Sequence, residues 1–314
     1  MFQTTAWARL SEIVYGFELQ PNKGVSQDFV FSKVCNEVGE YLVTPVFGDF
    51  ITLTQKDCKD LAKLAALEPE APMRVKALSK KRPTISGFTV EDSGFIHELE
   101  FRSYTKWKSE QIKCKFRNQV GQGARAGLTA LVSRKEEDIV KFWEMHAMLR
   151  VTKFSEIPQP REFFLEIFRS YFKADLGFML GGYDRQSRLI AGIIVLLDGD
   201  TAYYKFAASA PEALKLRPNN FLIAELIAYL EEIGIKKINF GYTGSGAEYA
   251  GLRKYKLSTG AIEAPRYTLK TAPFANLDMS SVVATNKGVA DFLKTNPTLD
   301  QIDQFSNQHY RNFA

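Results

Sequence analysis

Between Thr201 and Ala261 the chain gathers phenols, ammonium groups, amides and a guanidinium in an order that suits work on an anion. Tyr204 and Lys205 stand in Ala202-Tyr-Tyr-Lys-Phe-Ala-Ala-Ser209, and Arg217, Asn219, Asn220 and Phe221 follow in Leu216-Arg-Pro-Asn-Asn-Phe-Leu222. Asn239-Phe-Gly241, Thr243 and Tyr255-Lys256 complete the series. It reads as strand, polar loop, helix, strand and glycine-rich loop. A loop that opens a helix after a strand aims free backbone N–H groups and the positive end of the helix dipole at one place, which suits an anionic cofactor or substrate. Asn219 or Asn220 is expected to cap that helix, and Arg217 can grip a phosphate with two parallel hydrogen bonds. Tyr204 and Lys205, adjacent on a strand, are expected on opposite faces, with Tyr204 the better proton relay.

Other reactive residues have blander surroundings. Glu225 and Glu248 are the acids nearest these motifs and possible general bases. His146, among Phe142, Trp143, Met145 and Leu149, reads as a packed histidine. The run Gly241-Tyr-Thr-Gly-Ser-Gly246 lacks both a following lysine and the strand-to-helix setting of a nucleotide loop. Three scattered cysteines (Cys35, Cys58, Cys114) and three scattered histidines (His97, His146, His309) have no metal-ligand or disulfide spacing, so no metal is expected.

The elements that must carry these groups repeat. In the first half, a helix at 5–13, strands at 28–34, 41–47 and 72–78, and a helix capped by Thr54 are expected. In the second half, strands at 178–183, 189–197, 201–207 and 235–241 surround a helix at 219–233 that ends at Gly234, with an Asp198-Gly199 hairpin. Both halves run strand, strand, helix, strand, the order of a duplicated domain. Between them, 106–125 is basic, with Trp107, Ile112, Phe116 and Val120 spaced as one face of an amphipathic helix. Helices at 136–150 and 160–172 follow, and two short ones are expected at 282–293 and 299–313. The 314 residues, 45% hydrophobic and 25% charged, are enough for two ordinary domains. No window approaches the roughly 18 apolar residues of a membrane span and no leader pattern opens the chain, so a cytoplasmic location is expected. The net charge of +5 favours an anionic partner without choosing one.

These motifs resemble, in co-linear order over about residues 3–261, the FemAB-like acyltransferases of the GNAT superfamily. Gln3-Thr-Thr-Ala-Trp7 is similar to that family's opening, and Thr44-Pro-Val-Phe-Gly-Asp-Phe50 to a strand end in its first half. Phe116-Arg-Asn-Gln-Val120 with Gly127, and Pro158-Gln-Pro-Arg-Glu-Phe-Phe164, are similar to its connecting helices. The Tyr-Tyr-Lys strand, the Pro-Asn-Asn helix start, the Phe-Gly strand end and the aromatic-Lys pair close the series. Departures are Ile51-Thr52 where relatives have paired glycines, Tyr255 for a commoner Phe, and Arg217-Pro-Asn-Asn220 in place of the strict pyrophosphate loop.

The resemblance implies an α/β (α+β) chain of two tandem GNAT-like domains, each a mixed central sheet flanked by helices. The first would span 1–127, completed by 265–314, and the second 128–264. It implies acyl transfer to an amine, with Lys256, Tyr204 and Tyr255 catalytic and Arg217, Asn219, Asn220 and Phe221 holding the donor. Asp49, Lys205, Ser209 and Thr243 would bind substrate. The donor would be acyl-CoA and the acceptor an amino group on a small or lipid-linked cell-envelope precursor, a sugar or a peptide. An aminoacyl-tRNA donor of the peptidoglycan cross-bridge type is the alternative. A non-catalytic nucleic-acid or partner-binding protein with the same fold is the third reading.

Overall fold

The computed structural model describes residues 4–20 and 30–314. The chain divides into two compact units, one of residues 1–96 and 264–314 and another of 97–263. In chain order the first unit runs α1 (Thr5–Tyr15), β1 (Glu18–Gln20), β2 (Phe31–Asn36), β3 (Gly39–Thr44), β4 (Ile51–Thr52), α2 (Gln55–Leu67), β5 (Met73–Leu78) and the start of β6 (Thr89–Glu100). The second unit continues with the end of β6, α3 (Tyr104–Lys106), α4 (Cys114–Arg125), β7 (Thr129–Ser133), α5 (Glu136–Leu149), α6 (Arg161–Ile167), β8 (Gly177–Tyr183), β9 (Leu189–Asp198) and β10 (Thr201–Ser209). It ends with α7 (Pro218–Glu232), β11 (Lys237–Thr243), α8 (Ala250–Ser258) and the start of β12 (Ile262–Lys270). The chain then returns to the first unit through β12, α9 (Ala272–Ala275), α10 (Ser280–Leu293) and α11 (Leu299–His309).

In the first unit the strands lie in the order β1, β2, β3, β5, β12, with β4 beside β5. β3 and β4 run parallel to β5, and β12 runs antiparallel to it, so the sheet is mixed. Alternation sets its inner face: Met73, Val75 and Ala77 are buried while Arg74, Lys76 and Leu78 between them are not. Those inner residues pack with Leu61, Leu64 and Ala65 of α2 and with Leu269 of β12. As expected, Thr54 caps α2, in a reciprocal box with Asp57. The first-half strand expected from residue 28 begins, within the described residues, at Phe31; residues 28 and 29, and Gln3 of the opening motif, lie outside them. The strand expected to reach Phe47 ends at Thr44, before Pro45, which has no N–H for a ladder.

The second unit is also a mixed sheet, in the order β6, β11, β10, β9, β8, β7. β7 to β10 are antiparallel neighbours and β11 is parallel to β10. β8 and β9 are apolar on both faces and buried on both. α7 supplies Phe221, Leu222, Ile223, Leu226, Ile227 and Leu230 to the core, and α4 supplies Phe116 and Val120. α4 and α7 come close at Gly123, where an added Cβ would sit 2.7 Å from the Cβ of Phe221.

The basic helix expected over 106–125 is broken. Three residues of α3 run into a π-helical stretch, Trp107–Gln111, and Ile112 and Lys113 are extended before α4 begins. Arg117 from α4 reaches back to the carbonyls of Lys108 and Ser109, satisfying the orphan acceptors of that helix end. Trp107, Ile112, Phe116 and Val120 do form one apolar face, and they pack into the second unit's core rather than the first's. Residues 97–127, placed with the first domain by the sequence, thus fold with the second. The helix expected over 160–172 is α6 followed by a π-helical stretch, Phe168–Phe172. Of the strands, β6, β7, β12 and the short β1 and β4 had no expectation.

Candidate active site

β10 and β11 are parallel only at their starts, where Thr201, Ala202 and Tyr203 face Lys237, Ile238 and Asn239. β10 stays paired with β9 as far as Ser209, with a bulge between Tyr204 and Phe206. Its other edge parts from β11 after Tyr203, and from Phe206 to Ser209 no strand runs beside it among the described residues. Local chemistry explains the parting. The Asn239 side chain accepts the N–H of Gly241 (2.9 Å) and donates to Glu98 (3.1 Å), and Gly241 adopts φ +72°, a conformation that only glycine takes cheaply. The bulge at Lys205 also breaks the alternation on which opposite faces for Tyr204 and Lys205 were expected.

Past β10 a short 3₁₀ turn, Pro211–Leu216, leads to α7. Neither asparagine caps it. Arg217 occupies the cap position with φ 60° and ψ 43°, Pro218 opens the helix, and no side chain takes its first N–H groups. Phe221 N–H, bonded to the Arg217 carbonyl at 3.1 Å, is the first to find a helical acceptor. Asn219 donates to Ser209 Oγ (3.3 Å), and its side-chain Oδ1 is buried without a hydrogen-bond partner among the described residues. Asn220 is buried and donates to Gln119 Oε1 on α4 (3.3 Å). The Phe221 ring belongs to the core, so it is no side-chain contact for a donor. The Arg217 guanidinium is exposed.

Lys256 is on α8, 7% exposed, with Nζ donating to the Tyr242 carbonyl (2.9 Å). The Tyr204 ring lies 5.6 Å from Phe240 and that of Tyr255 5.9 Å from Phe116. Burial pushes both phenols well above the usual tyrosine range, and Tyr204 adds to the effect at Tyr255, whose hydroxyl has no hydrogen-bond partner. Both therefore stay protonated at neutral pH. Lys205 Nζ lies over the Phe206 ring at 5.6 Å. Thr243 is fully buried at the end of β11. These residues share the second unit. Asp49 lies in the first, where its carbonyl accepts from Arg266 Nε (2.6 Å).

Of the acids, Glu225 is half-buried on α7 and its pKa is raised by burial, with Lys108 opposing; Glu248 is exposed. His146 is packed, as expected: its ring lies 5.3 Å from Phe164 and 5.7 Å from Phe206, and burial, then Arg150, lower its pKa to about 3. His97 was expected only as one of three scattered histidines, with no role of its own. It is fully buried, with Nε2 2.6 Å from Thr243 Oγ1. No local spacing marks it, because its partners Thr243 and Glu263 arrive from the far end of the unit. No group of potential metal ligands occurs among the described residues.

The splayed strands and open helix start fall within one matched segment: residues 114–257 fit the family model described as an acetyltransferase (GNAT) domain. The chain carries a GNAT domain. The α/β fold of tandem GNAT-like domains that the FemAB-like resemblance implies stands as well. The structure titled FemX has a TM-score of 0.65 at 12% identity, covering 87% of this chain and 92% of that one. The C-terminal domain of a putative lysylphosphatidylglycerol synthetase from Agrobacterium fabrum has a TM-score of 0.57 at 15% identity, covering 86% and 88%. L-PGS from Bacillus licheniformis has 0.56 at 10% identity, covering 92% of each chain. At these identities the likeness is one of fold. No curated protein matches the sequence. The GNAT domain begins within α4's first turn and ends just past Lys256, so it contains every site residue named above except Asp49 and His97.

Proposed function

We propose that the GNAT domain transfers an acyl group from an acyl-CoA donor to an amine on a cell-envelope precursor, a sugar or a peptide. The observation that carries this reading is the parting of β11 from β10 past Tyr203, which leaves the edge of β10 from Phe206 to Ser209 without a neighbouring strand among the described residues and leads through a short turn to the uncapped start of α7. An extended, amide-bearing chain such as the pantetheine arm of CoA can add to that edge as a strand would, and its pyrophosphate can take the free N–H groups of the helix with Arg217. The FemAB-like resemblance supplies the remaining roles.

The chemistry needs little else. The neutral amine attacks the thioester carbonyl, the new C–N bond forms, and the C–S bond breaks as the tetrahedral intermediate collapses. The amine proton leaves to water or a nearby base and the CoA thiolate is protonated. Lys256 stabilises the oxyanion that develops on the carbonyl, and the neutral phenols of Tyr204 and Tyr255 can donate a hydrogen bond to the leaving sulfur or hold the amine. Lys205 and Ser209 remain candidates for substrate contact, whereas Thr243 is fully buried with its hydroxyl engaged by His97, and Asp49 lies in the first unit. CoA thioesters are cytoplasmic donors, and among the described residues no helix is long and apolar enough to cross a membrane.

An aminoacyl-tRNA donor is the second reading. It is favoured by the exposed Lys113, Lys115 and Arg125 on and beside α4, a basic surface that suits a polyanion such as tRNA. Binding of acetyl-CoA, longer acyl-CoAs and charged tRNA at two salt concentrations separates the two. Saturable acyl-CoA binding that survives moderate salt supports the first, and steeply salt-dependent binding of aminoacyl-tRNA alone supports the second. Under either, Lys256→Ala is expected to lower turnover roughly 100-fold to 1,000-fold, the usual cost of one oxyanion donor, with circular dichroism unchanged. Wild-type turnover in that variant removes Lys256 from the mechanism.

A further inference from the structure

Four side chains converge on the end of β11. His97, in the last part of β6, is fully buried, and its Nε2 lies 2.6 Å from the hydroxyl of Thr243, itself fully buried. On the other side of the ring, Nδ1 is buried with no hydrogen-bond partner among the described residues and faces Glu263 Oε1 at 3.8 Å. Arg253 of α8 holds that carboxylate through two nitrogens. One residue before Thr243, the Tyr242 carbonyl receives Lys256 Nζ at 2.9 Å.

The charges decide which way the His97–Thr243 hydrogen bond runs. The Glu263 carboxylate attracts a proton on Nδ1 and would repel a lone pair there, so the neutral ring carries its proton on Nδ1 and Nε2 accepts from the Thr243 hydroxyl. The ring stays neutral because burial, then Lys256, lower its pKa to about 4, with Glu263 opposing and Arg253 adding to the fall. Its acceptor role therefore holds throughout the physiological range.

We propose that His97 is a positioning residue for Lys256: by accepting the Thr243 hydroxyl it fixes the Tyr242–Thr243 strand end whose carbonyl holds the lysine. A hydrogen bond between two fully buried side chains leaves neither partner an alternative in water, so losing either member frees the strand end. The proposal rests on the assignment of Lys256 to the site, and its test has a readout that does not need turnover.

That readout is the rate at which an amine-reactive acylating reagent labels Lys256, followed by peptide mass spectrometry, with the exposed Lys113 and Lys115 as internal references. Thr243→Val keeps the volume and removes the hydroxyl. It is expected to raise Lys256 labelling relative to the references roughly fivefold, the ratio set by one net hydrogen bond lost. Thr243→Ser keeps the hydroxyl and is expected to label as wild type does. His97→Gln, whose side-chain oxygen can accept the same hydrogen bond, should fall between them. In turnover, Thr243→Val should lower kcat with the donor KM unchanged, and Thr243→Ser should restore it. If Thr243→Val does not fold, Thr243→Cys, a much weaker donor of similar size, is read in the same way. Wild-type labelling of Lys256 in a folded Thr243→Val or Thr243→Cys protein overturns the proposal. Altered labelling in a protein that turns over no acyl donor overturns the acyltransferase reading and leaves the link between His97 and Lys256 standing.

Discussion

The two buried histidines of the second unit are both held neutral, but they do different things. His146 sits among Phe142, Phe164 and Phe206, with one weak partner in Gln159 Oε1 at 3.3 Å, so burial dominates its pKa. His97 has a short contact to Thr243 and lies within range of Lys256, Arg253 and Glu263, so its surroundings specify a hydrogen-bond direction. Both pKa values are depressed in the fold, to about 3 and about 4. Between those values and the ordinary value near 6.5 the unfolded chain binds more protons than the folded one, so stability rises with pH across that window and is lost as pH falls. Each unit of depression is worth about 1.4 kcal/mol, which makes the combined effect several kcal/mol at most. His146→Phe, which fills the aromatic cluster without a titrating group, is expected to flatten the dependence of unfolding free energy on pH below about 6.5. The remaining slope should come chiefly from His97. An unchanged slope in urea titrations from pH 4 to 7 would contradict the assignment.

Elements meet here at distances that particular glycines permit. α4 crosses α7 at Gly123, whose added Cβ would meet the Cβ and ring of Phe221, atoms that cannot swing aside. Gly121, two residues earlier on the same helix, faces only the flexible end of Arg125. The same change therefore has opposite signs at the two sites. Gly121→Ala is expected to stabilise by about 0.5–1 kcal/mol through helix propensity. Gly123→Ala gains that propensity but forces the helices apart, and the overpacking cost of about 1–3 kcal/mol should leave it less stable than wild type. Denaturant midpoints of the two variants decide this. Because Arg217 begins α7 and its carbonyl lies 3.5 Å from the same added Cβ, Gly123→Ala should also weaken anionic-donor binding while Gly121→Ala does not.

At the scale of the whole chain, the first unit is discontinuous in sequence: β12 completes its sheet against β5, and Thr271 Oγ1 takes the N–H of Met73. Tyr41 Oη and Asn36 Nδ2 donate to the carbonyls of Ala314 and Arg311. Deleting 264–314 should therefore expose the amides of β2, β3 and β5 to hydrogen exchange, while those of β8, β9 and α7 in the second unit stay protected. Loss of protection in both units at once would mean that they do not fold separately. The sequence by itself determined the elements whose signals are local. Thr54 caps α2 from within its own first turn, Gly234 follows the end of α7, and the runs of β8 and β9 read as strands; the ordered motifs from Tyr204 to Lys256 carry the family resemblance. It did not determine the break in the basic helix, where packing of Trp107 and Ile112 and the reach of Arg117 to backbone carbonyls override a helical pattern. Nor did it determine the polar strand β6, the uncapped start of α7, or the meeting of His97 with Thr243 and Glu263. Those depend on which distant strands lie side by side, and hydrogen bonds between residues far apart in the chain leave no periodicity in it; only the tertiary structure could decide them.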